Sequence, residues 1–210
     1  MKNQDVATTE LLSRAKRGDR GALNELLAQY GARLKRMVRL RLDRRLQGRI
    51  DESDVLQEAF LEVAGKLDDY LAAPQAPLYL WLRTLTGLKL AELHRRHLGT
   101  QLRDANREVS IYRGALPEAN SLSLAAQLLG KFSSPSQAAV KAERRIRLQE
   151  VLNSMDPVDR EVLALRHFEQ LSNAETAHVL GMSESGATAR HVRALKRLRT
   201  LLEQLPGFFE

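Results

Sequence analysis

The sequence predicts an all-α chain: two small helical domains joined by a flexible linker. Three observations carry this. Leu, Ala, Arg and Glu dominate, and these are good helix formers. Apolar residues recur at three- to four-residue spacing over long stretches, and Pro is rare inside them. Between those stretches lie Gly99, Gly114, Pro117, Gly130 and the Ser133-Ser134-Pro135 cluster, the punctuation of a linker. The expected division is an N-terminal block at 9–97, a linker at 98–135 holding one short helix near Leu122 to Leu129, and a C-terminal block at 136–205.

The bulk properties narrow the class. The chain has 210 residues and a net charge of +7, which suggests a polyanionic partner such as nucleic acid or an anionic membrane surface. Charge that serves only solubility is the alternative. There is no cysteine, which excludes a disulfide scaffold, a thiol nucleophile and Cys-based zinc sites. The segment Met1 to Thr9 lacks an apolar signal core, and no apolar run approaches spanning length. A soluble cytoplasmic protein without membrane insertion is expected. No cofactor or metal is expected either: His94 and His97 lack a third ligand nearby in sequence.

In chain order, Thr9 precedes a first helix that Gly18 stops after Lys16. Arg33 to Arg49 holds eight basic residues and one acid, Asp43, whereas Asp51 to Glu62 holds five acids and no base. A DNA-binding surface would not gather five acids. Helical spacing puts Leu56, Ala59, Phe60, Val63 and Leu67 on a core face and Asp54, Gln57, Glu58 and Leu61 on another. An exposed acidic face containing a leucine suits protein docking. An ordinary amphipathic helix with an acidic first turn explains it too, and Ser53 there reads as a helix cap. The next helix combines Leu78-Tyr79-Leu80-Trp81-Leu82-Arg83 with Lys89 and the terminal cluster Glu92 to His97. Aromatics beside bases can stack on unpaired nucleobases, but Trp81 fits a core position with Leu78, Leu85 and Leu88.

Asp156-Pro157 is an N-cap followed by proline at the first helical position. Ser172 with Glu175 forms a capping box that opens a short helix from Asn173 to Leu180. Gly181-Met182-Ser183 then turns into a longer helix from Glu184, capped by Ser183. Two helices joined by a short turn containing Gly give the helix-turn-helix outline. On the second helix Val192, Leu195, Leu198 and Leu202 are expected to face the core, and Arg190, Arg193 and Arg197 the solvent. Arginine suits phosphate oxygens and guanine edges, with Ala187 and Thr188 short enough to meet a thymine methyl. A solvated basic helix end is the alternative.

These segments resemble, in order and spacing, the extracytoplasmic-function (ECF) sigma factors of the sigma-70 superfamily. Asp54-Val55-Leu56-Gln57-Glu58-Ala59-Phe60-Leu61 resembles their polymerase-docking helix. Trp81-Leu82-Arg83 through Leu93-His94-Arg95-Arg96 resembles the promoter-melting segment, and Leu163-Ala164-Leu165-Arg166 through Arg197 the C-terminal helix-turn-helix. The resemblance covers residues 9–97 and 136–202. It departs at Ala64, four residues after Phe60, where many members carry Trp and which Gly65 follows here, at Gly87 and Leu88 in the melting segment, and at Gly186, Thr188 and His191 in the recognition helix.

The resemblance implies a transcription initiation factor and not an enzyme. Asp51, Glu52, Asp54, Gln57, Glu58 and Leu61 would bind the clamp of the polymerase largest subunit. Tyr79, Trp81, Arg83, Lys89, Arg95 and Arg96 would contact and open the minus-ten element. Ser185, Ala187, Thr188, Arg190, His191, Arg193, Lys196 and Arg197 would read the minus-thirty-five element, while this domain also binds the polymerase flap. An anti-sigma protein would regulate the chain. Three rivals are a helix-turn-helix regulator that works without being a polymerase subunit, an enzyme, and a helical adaptor. The first leaves the acidic helix unexplained. The second finds no phosphate loop, nucleophile elbow or HExxH.

Overall fold

The computed structural model describes residues 2–46, 48–98, 117–130 and 138–204. The order is α1 (Lys2–Lys16), α2 (Arg20–Arg41), a 3-10 turn (Arg44–Leu46), α3 (Glu52–Ala72), α4 (Leu78–Leu98), α5 (Ser121–Gly130), α6 (Ala138–Ser154), α7 (Pro157–Leu163), a π-helical segment (Ala164–Phe168), α8 (Asn173–Leu180) and α9 (Glu184–Glu203). Among the described residues there is no strand, so the all-α expectation holds. The chain divides into two compact units: Met1–Val38 with Arg44–Asn106, and Arg39–Asp43 with Arg107–Glu210. Most of the expected linker falls outside the described residues, but its helix is present as α5.

In the first unit, α1 begins at Lys2, earlier than the capping residue Thr9 suggested. Its end is fixed at Gly18, whose φ of +86° is open to glycine without a Cβ penalty. Arg14 then closes on Asp19 at 2.8 Å. Asp19 accepts the Ala22 amide at 3.0 Å and so caps α2. The Ala22 amide and the Arg14 guanidinium hold the Asp19 carboxyl below its ordinary range.

Helices α3 and α4 form an antiparallel hairpin through a five-residue turn. Leu56, Ala59, Val63 and Leu67 of α3 are buried with Leu78, Leu82, Leu85, Leu90 and Leu93 of α4, and Leu26, Leu34 and Met37 of α2 complete the core. Each such leucine contributes about 1.5–3 kcal/mol by leaving water. Helix α4 is buried on nearly every side, Thr84 and Thr86 included. Their hydroxyls are satisfied by donating to the Leu80 and Leu82 carbonyls at 2.9 and 2.8 Å.

In the second unit, α5 packs along α6, and α9 lies across α6, α7 and α8. Leu124, Ala125, Leu148, Leu152, Met155, Leu163, Ala164, Phe168 and Ala194 form one cluster, with Leu198, Leu201 and Leu202 against it. The capping residues act as the sequence predicts. Asp156 accepts the Val158 amide at 2.8 Å, ahead of Pro157. Ser172 and Glu175 close a reciprocal box at 3.1 and 2.7 Å. Gly181 ends α8 at φ +61°, ψ +42°.

Candidate polymerase and nucleic-acid interfaces

Helix α3 presents its acidic end first. Asp51, not Ser53, is the N-cap: its carboxylate accepts the Ser53 and Asp54 amides at 2.7 and 2.9 Å. Asp54 returns the bond by accepting the Asp51 amide at 2.8 Å. Glu52 and Asp54 in the first turn stabilise the positive end of the helix dipole. Beyond this box, Asp54, Gln57 and Leu61 are exposed while Val55, Leu56, Ala59 and Val63 are buried; Phe60 is half-buried. Leu61 is 74% exposed, the most exposed large apolar side chain among the described residues. A leucine so placed, ringed by Asp54, Gln57 and Glu58, gains nothing for the fold and is available to another surface.

On α4 the expected DNA contacts separate into inner and outer ones. Tyr79 and Arg83 are corrections: they are 3% and 2% exposed and belong to the core. Arg33 lies over the Tyr79 ring, 3.6 Å from its centroid, and Tyr30 flanks it at 5.9 Å. Trp81 is half-buried and stacks on Tyr70, with centroids 4.4 Å apart. Lys89 donates to Glu92 at 2.7 Å, and this bond holds its ammonium above the ordinary lysine range. Arg96 bonds Glu92 at 2.7 Å and approaches Glu58 at 4.0 Å. Arg95 and Arg96 remain exposed.

On α9 the helical phase differs from the expected one. Ala187 and Ala194 are fully buried, whereas Val192 and Leu195 are 45% and 39% exposed. The core stripe therefore runs Ala187, Ala194, Leu198 and Leu201–Leu202. The opposite face carries Ser185, Thr188, Val192, Arg193, Lys196 and Arg197, all exposed. Two expected readers move. Ala187 is packed inside. Arg190 turns back to α7, its Nε on Asp159 and its NH2 on Asp156, both at 2.7 Å. His191 is half-buried, with Nε2 2.8 Å from Nε2 of His167.

The start of α9 is held from both sides of the turn. Ser183 accepts the Gly186 amide at 3.1 Å, and Asn173 of α8 donates to the Glu184 carbonyl at 2.9 Å. A Cβ on Gly186 would lie 3.1 Å from Ser183 Oγ, so the capping serine needs a small residue there. Sequence patterning did not single out the Arg190 fork or the histidine pair. Their partners lie 24 to 34 residues away, and no local signal links them.

A short helix and a longer one joined through Gly181 to Ser183, the second with a polar basic face, define a helix-turn-helix protein of the nucleic-acid-binding class. Residues 145–198 match the family model described as "Sigma-70, region 4". The ECF RNA polymerase sigma factor ShbA of Streptomyces griseus is 31% identical over 199 residues, 92% of this chain and 94% of that protein. SigD of Mycobacterium tuberculosis is 28% identical over 189 residues, covering 90% of this chain and 81% of its own length. The solved structure of CnrH in complex with the cytosolic domain of CnrY shares the fold, with a TM-score of 0.55 and 23% identity. That match covers 94% of this chain and 97% of that one; CnrH itself comes from Cupriavidus metallidurans. The chain belongs to the ECF RNA polymerase sigma factors. It is a transcription initiation factor that binds RNA polymerase core and directs it to promoters.

Proposed function

We propose that the labour is divided between the two helical blocks, the N-terminal one at 9–97 docking polymerase and opening the minus-ten element, and the C-terminal one at 136–205 reading the minus-thirty-five element. The observation that carries this is the split on α9. The inward face is committed to the core and to α7, and the outward face offers Ser185, Thr188, Arg193, Lys196 and Arg197 together. Ser185 and Thr188 lie in the first turns, where a recognition helix meets base edges. Arg193, Lys196 and Arg197 lie further along and suit phosphates. Arg190 is left out of the reading set because both arms of its guanidinium are engaged.

The docking assignment is supported by Leu61 and the acids around it: Asp51, Glu52, Asp54 and Glu58, with Gln57. This face meets the polymerase clamp, and the second domain meets the flap. On α4 the reading keeps Trp81, Lys89, Arg95 and Arg96 for promoter DNA and drops the buried Tyr79 and Arg83. The work is done by binding, without catalysis, in the cytoplasm; among the described residues no helix is long and apolar enough to cross a membrane. An anti-sigma protein is the proposed regulator, by analogy with the complex in which CnrH was solved.

The test is transcription in vitro by polymerase core on genomic promoter fragments, with and without the protein. Promoter-specific transcripts that require the protein, and that disappear with Thr188→Asp or with Arg193 and Lys196 both changed to Ala, are expected. Transcripts indifferent to those substitutions would remove α9 from promoter reading.

A further inference from the structure

Neither the polymerase face nor the outward face of α9 uses the pairing of His167 with His191. His167 stands in the π-helical segment Ala164–Phe168, where the Glu169 amide donates to the Ala164 carbonyl five residues back at 3.0 Å. His191 stands on α9. Their Nε2 atoms are 2.8 Å apart, and their ring centroids 5.0 Å with planes at 39°. The centroid separation is close to the nitrogen separation plus both ring radii, so the two nitrogens point at each other end to end. That is the geometry of one N–H···N hydrogen bond. Two lone pairs converging on a shared cation would bring the rings closer side by side, and among the described residues no cluster of three metal-ligating side chains exists.

The bond sets a proton rule. One Nε2–H donates, and the other ring accepts with a lone pair and so keeps its own proton on Nδ1. One added proton leaves an imidazolium N–H that can still donate to the neutral ring; once both rings are cations neither has a lone pair, the bond is gone and two positive charges face each other. Burial and then the Arg166 guanidinium hold the His191 imidazole below its ordinary range. The charged groups on the packed elements do not offset this. Asp156 and Asp159 of α7 are closed on Arg190, and Glu175 of α8 on the Ser172 amide. Arg160 of α7 is closed on Glu118. On α6, Arg147 pairs with Glu143; the remaining charged or titratable neighbours in sequence are Glu184 and Arg193 on α9 itself and His178 on α8.

The placement gives the bond a task. Arg190 and His191 are adjacent and so lie about 100° apart around the helix, on opposite flanks of the Ala187–Ala194 stripe. Arg190 holds one flank to α7 and His191 the other to the π-helical segment. Alanines fix how closely α9 approaches but resist rolling poorly, because they are small. Two polar braces on opposite flanks stop that roll. Thr188 lies one turn before His191 and Arg193 two residues after it, so a roll would re-aim both.

We propose that His167 is a positioning residue for promoter recognition: its hydrogen bond to His191 fixes the roll of α9 and makes recognition of the upstream element fall on acidification. The proposal rests on the reading that the outward face of α9 meets DNA. The experiment uses full-length protein in polymerase holoenzyme. It measures the ratio of binding to a promoter with its native upstream element against one with that element scrambled. A ratio cancels the general gain of DNA affinity that any added positive charge brings at low pH.

His167→Ala lowers this ratio about threefold to tenfold at neutral pH, the range that one net hydrogen bond supplies. His167→Gln, whose amide can donate to His191 without titrating, restores it. In the wild type the ratio holds near neutrality and falls on the acid side of the ordinary histidine value of about 6.5, because His191 is held below that value, and His167→Gln flattens that fall. Imidazole 15N shifts of the free chain show one Nδ1-protonated tautomer in the pair, lost in His167→Ala. The idea is overturned if His167→Ala keeps the wild-type ratio while Arg193→Ala with Lys196→Ala loses binding, or if His167→Gln titrates like the wild type. If changing Arg193 and Lys196 also has no effect, the DNA reading of α9 itself fails and the proposal falls with it. Should His167→Ala not fold, the pH profile of His167→Gln and the wild-type 15N tautomers decide.

Discussion

Arg190→Ala separates a brace from a reader. The guanidinium bonds Asp159 and Asp156 at 2.7 Å each, with side chains 29%, 20% and 53% exposed in the order Arg190, Asp159, Asp156. A hydrogen bond to a charged group is worth about 1.5–3 kcal/mol when well shielded. The Asp156 arm is half in solvent and is discounted to about 0.5 kcal/mol. The Asp159 arm is better shielded and keeps about 1 kcal/mol. Asp156 also holds the Val158 amide, so the substitution leaves no orphaned cap. The expected loss is about 1–2 kcal/mol in the second unit, or roughly 5–15 °C of melting temperature for a unit of this size. Arg190→Lys keeps the charge but not the two-armed geometry and falls between.

The loss also has a pH signature. Burial works against the Asp156 charge, but the Val158 and Asp159 amides and Arg190 outweigh it and hold the carboxyl below its ordinary value of 3.8. A depressed carboxyl stabilises the fold above its unfolded pKa, and that stability disappears as pH falls through the lower folded value. The gap between wild type and Arg190→Ala is therefore constant near neutrality and closes below about pH 4. Thermal unfolding of the full-length chain over a pH series measures this, and holoenzyme binding to a library of upstream elements reports base preference. A melting temperature within about a degree of wild type, together with preference altered at one or two base positions only, would refute the reasoning and return Arg190 to the readers.

Leu61→Ser with Glu58→Lys is expected to weaken polymerase-core binding at least tenfold with little change in melting, because both side chains are largely outside the core; a large stability loss with core binding retained would place the face inside the molecule. Gly181→Ala, at φ +61°, is expected to destabilise the second unit by about 1 kcal/mol, and a neutral result in a urea titration would contradict the left-handed cap. Arg197→Ala is expected to lower the salt dependence of promoter binding by about one unit of slope on all sequences alike; a loss confined to particular bases would make it a reader.

The punctuation of the second unit was legible because caps are local chemistry. Asp156 before Pro157, Ser172 with Glu175, Gly181 and Ser183 set both ends of α8 and the starts of α7 and α9 at the residues where they are found. The phase of α9 was not legible. Val192, Leu195, Leu198 and Leu202 satisfy an apolar stripe as well as Ala187, Ala194, Leu198 and Leu201 do. Close approach to α7 selects the alanines and leaves the larger side chains outside. Burial of α4 on nearly every side erased the periodicity that would have placed Tyr79 and Arg83 inside. The π-helical turn at Ala164–Phe168 leaves no residue signature, since it changes a hydrogen-bond register and not a side-chain type. In α3 the exposed and buried sides came out as the spacing implied, apart from a half-exposed Phe60.

The distribution of charge explains why such a protein works through polymerase. On the α3–α4 hairpin, cations are partly spent internally: Lys89 on Glu92 and Glu62, Arg96 on Glu92 and Glu58. On α9, Arg190 is spent on α7 and Arg199 on Glu203. That leaves the exposed Arg193, Lys196 and Arg197 as the proposed phosphate-facing set. Three phosphate contacts give a salt slope of about −2.7 and change affinity only about 40-fold between 50 and 200 mM salt. The net charge of +7 does not by itself measure the grip on DNA, which depends on how many cations reach phosphates. Three contacts alone hold duplex DNA weakly. Strong promoter binding then requires the second hold that polymerase supplies; if the Leu61 face docks polymerase as proposed, tethering converts the α9 contact into an intramolecular one with a high effective concentration.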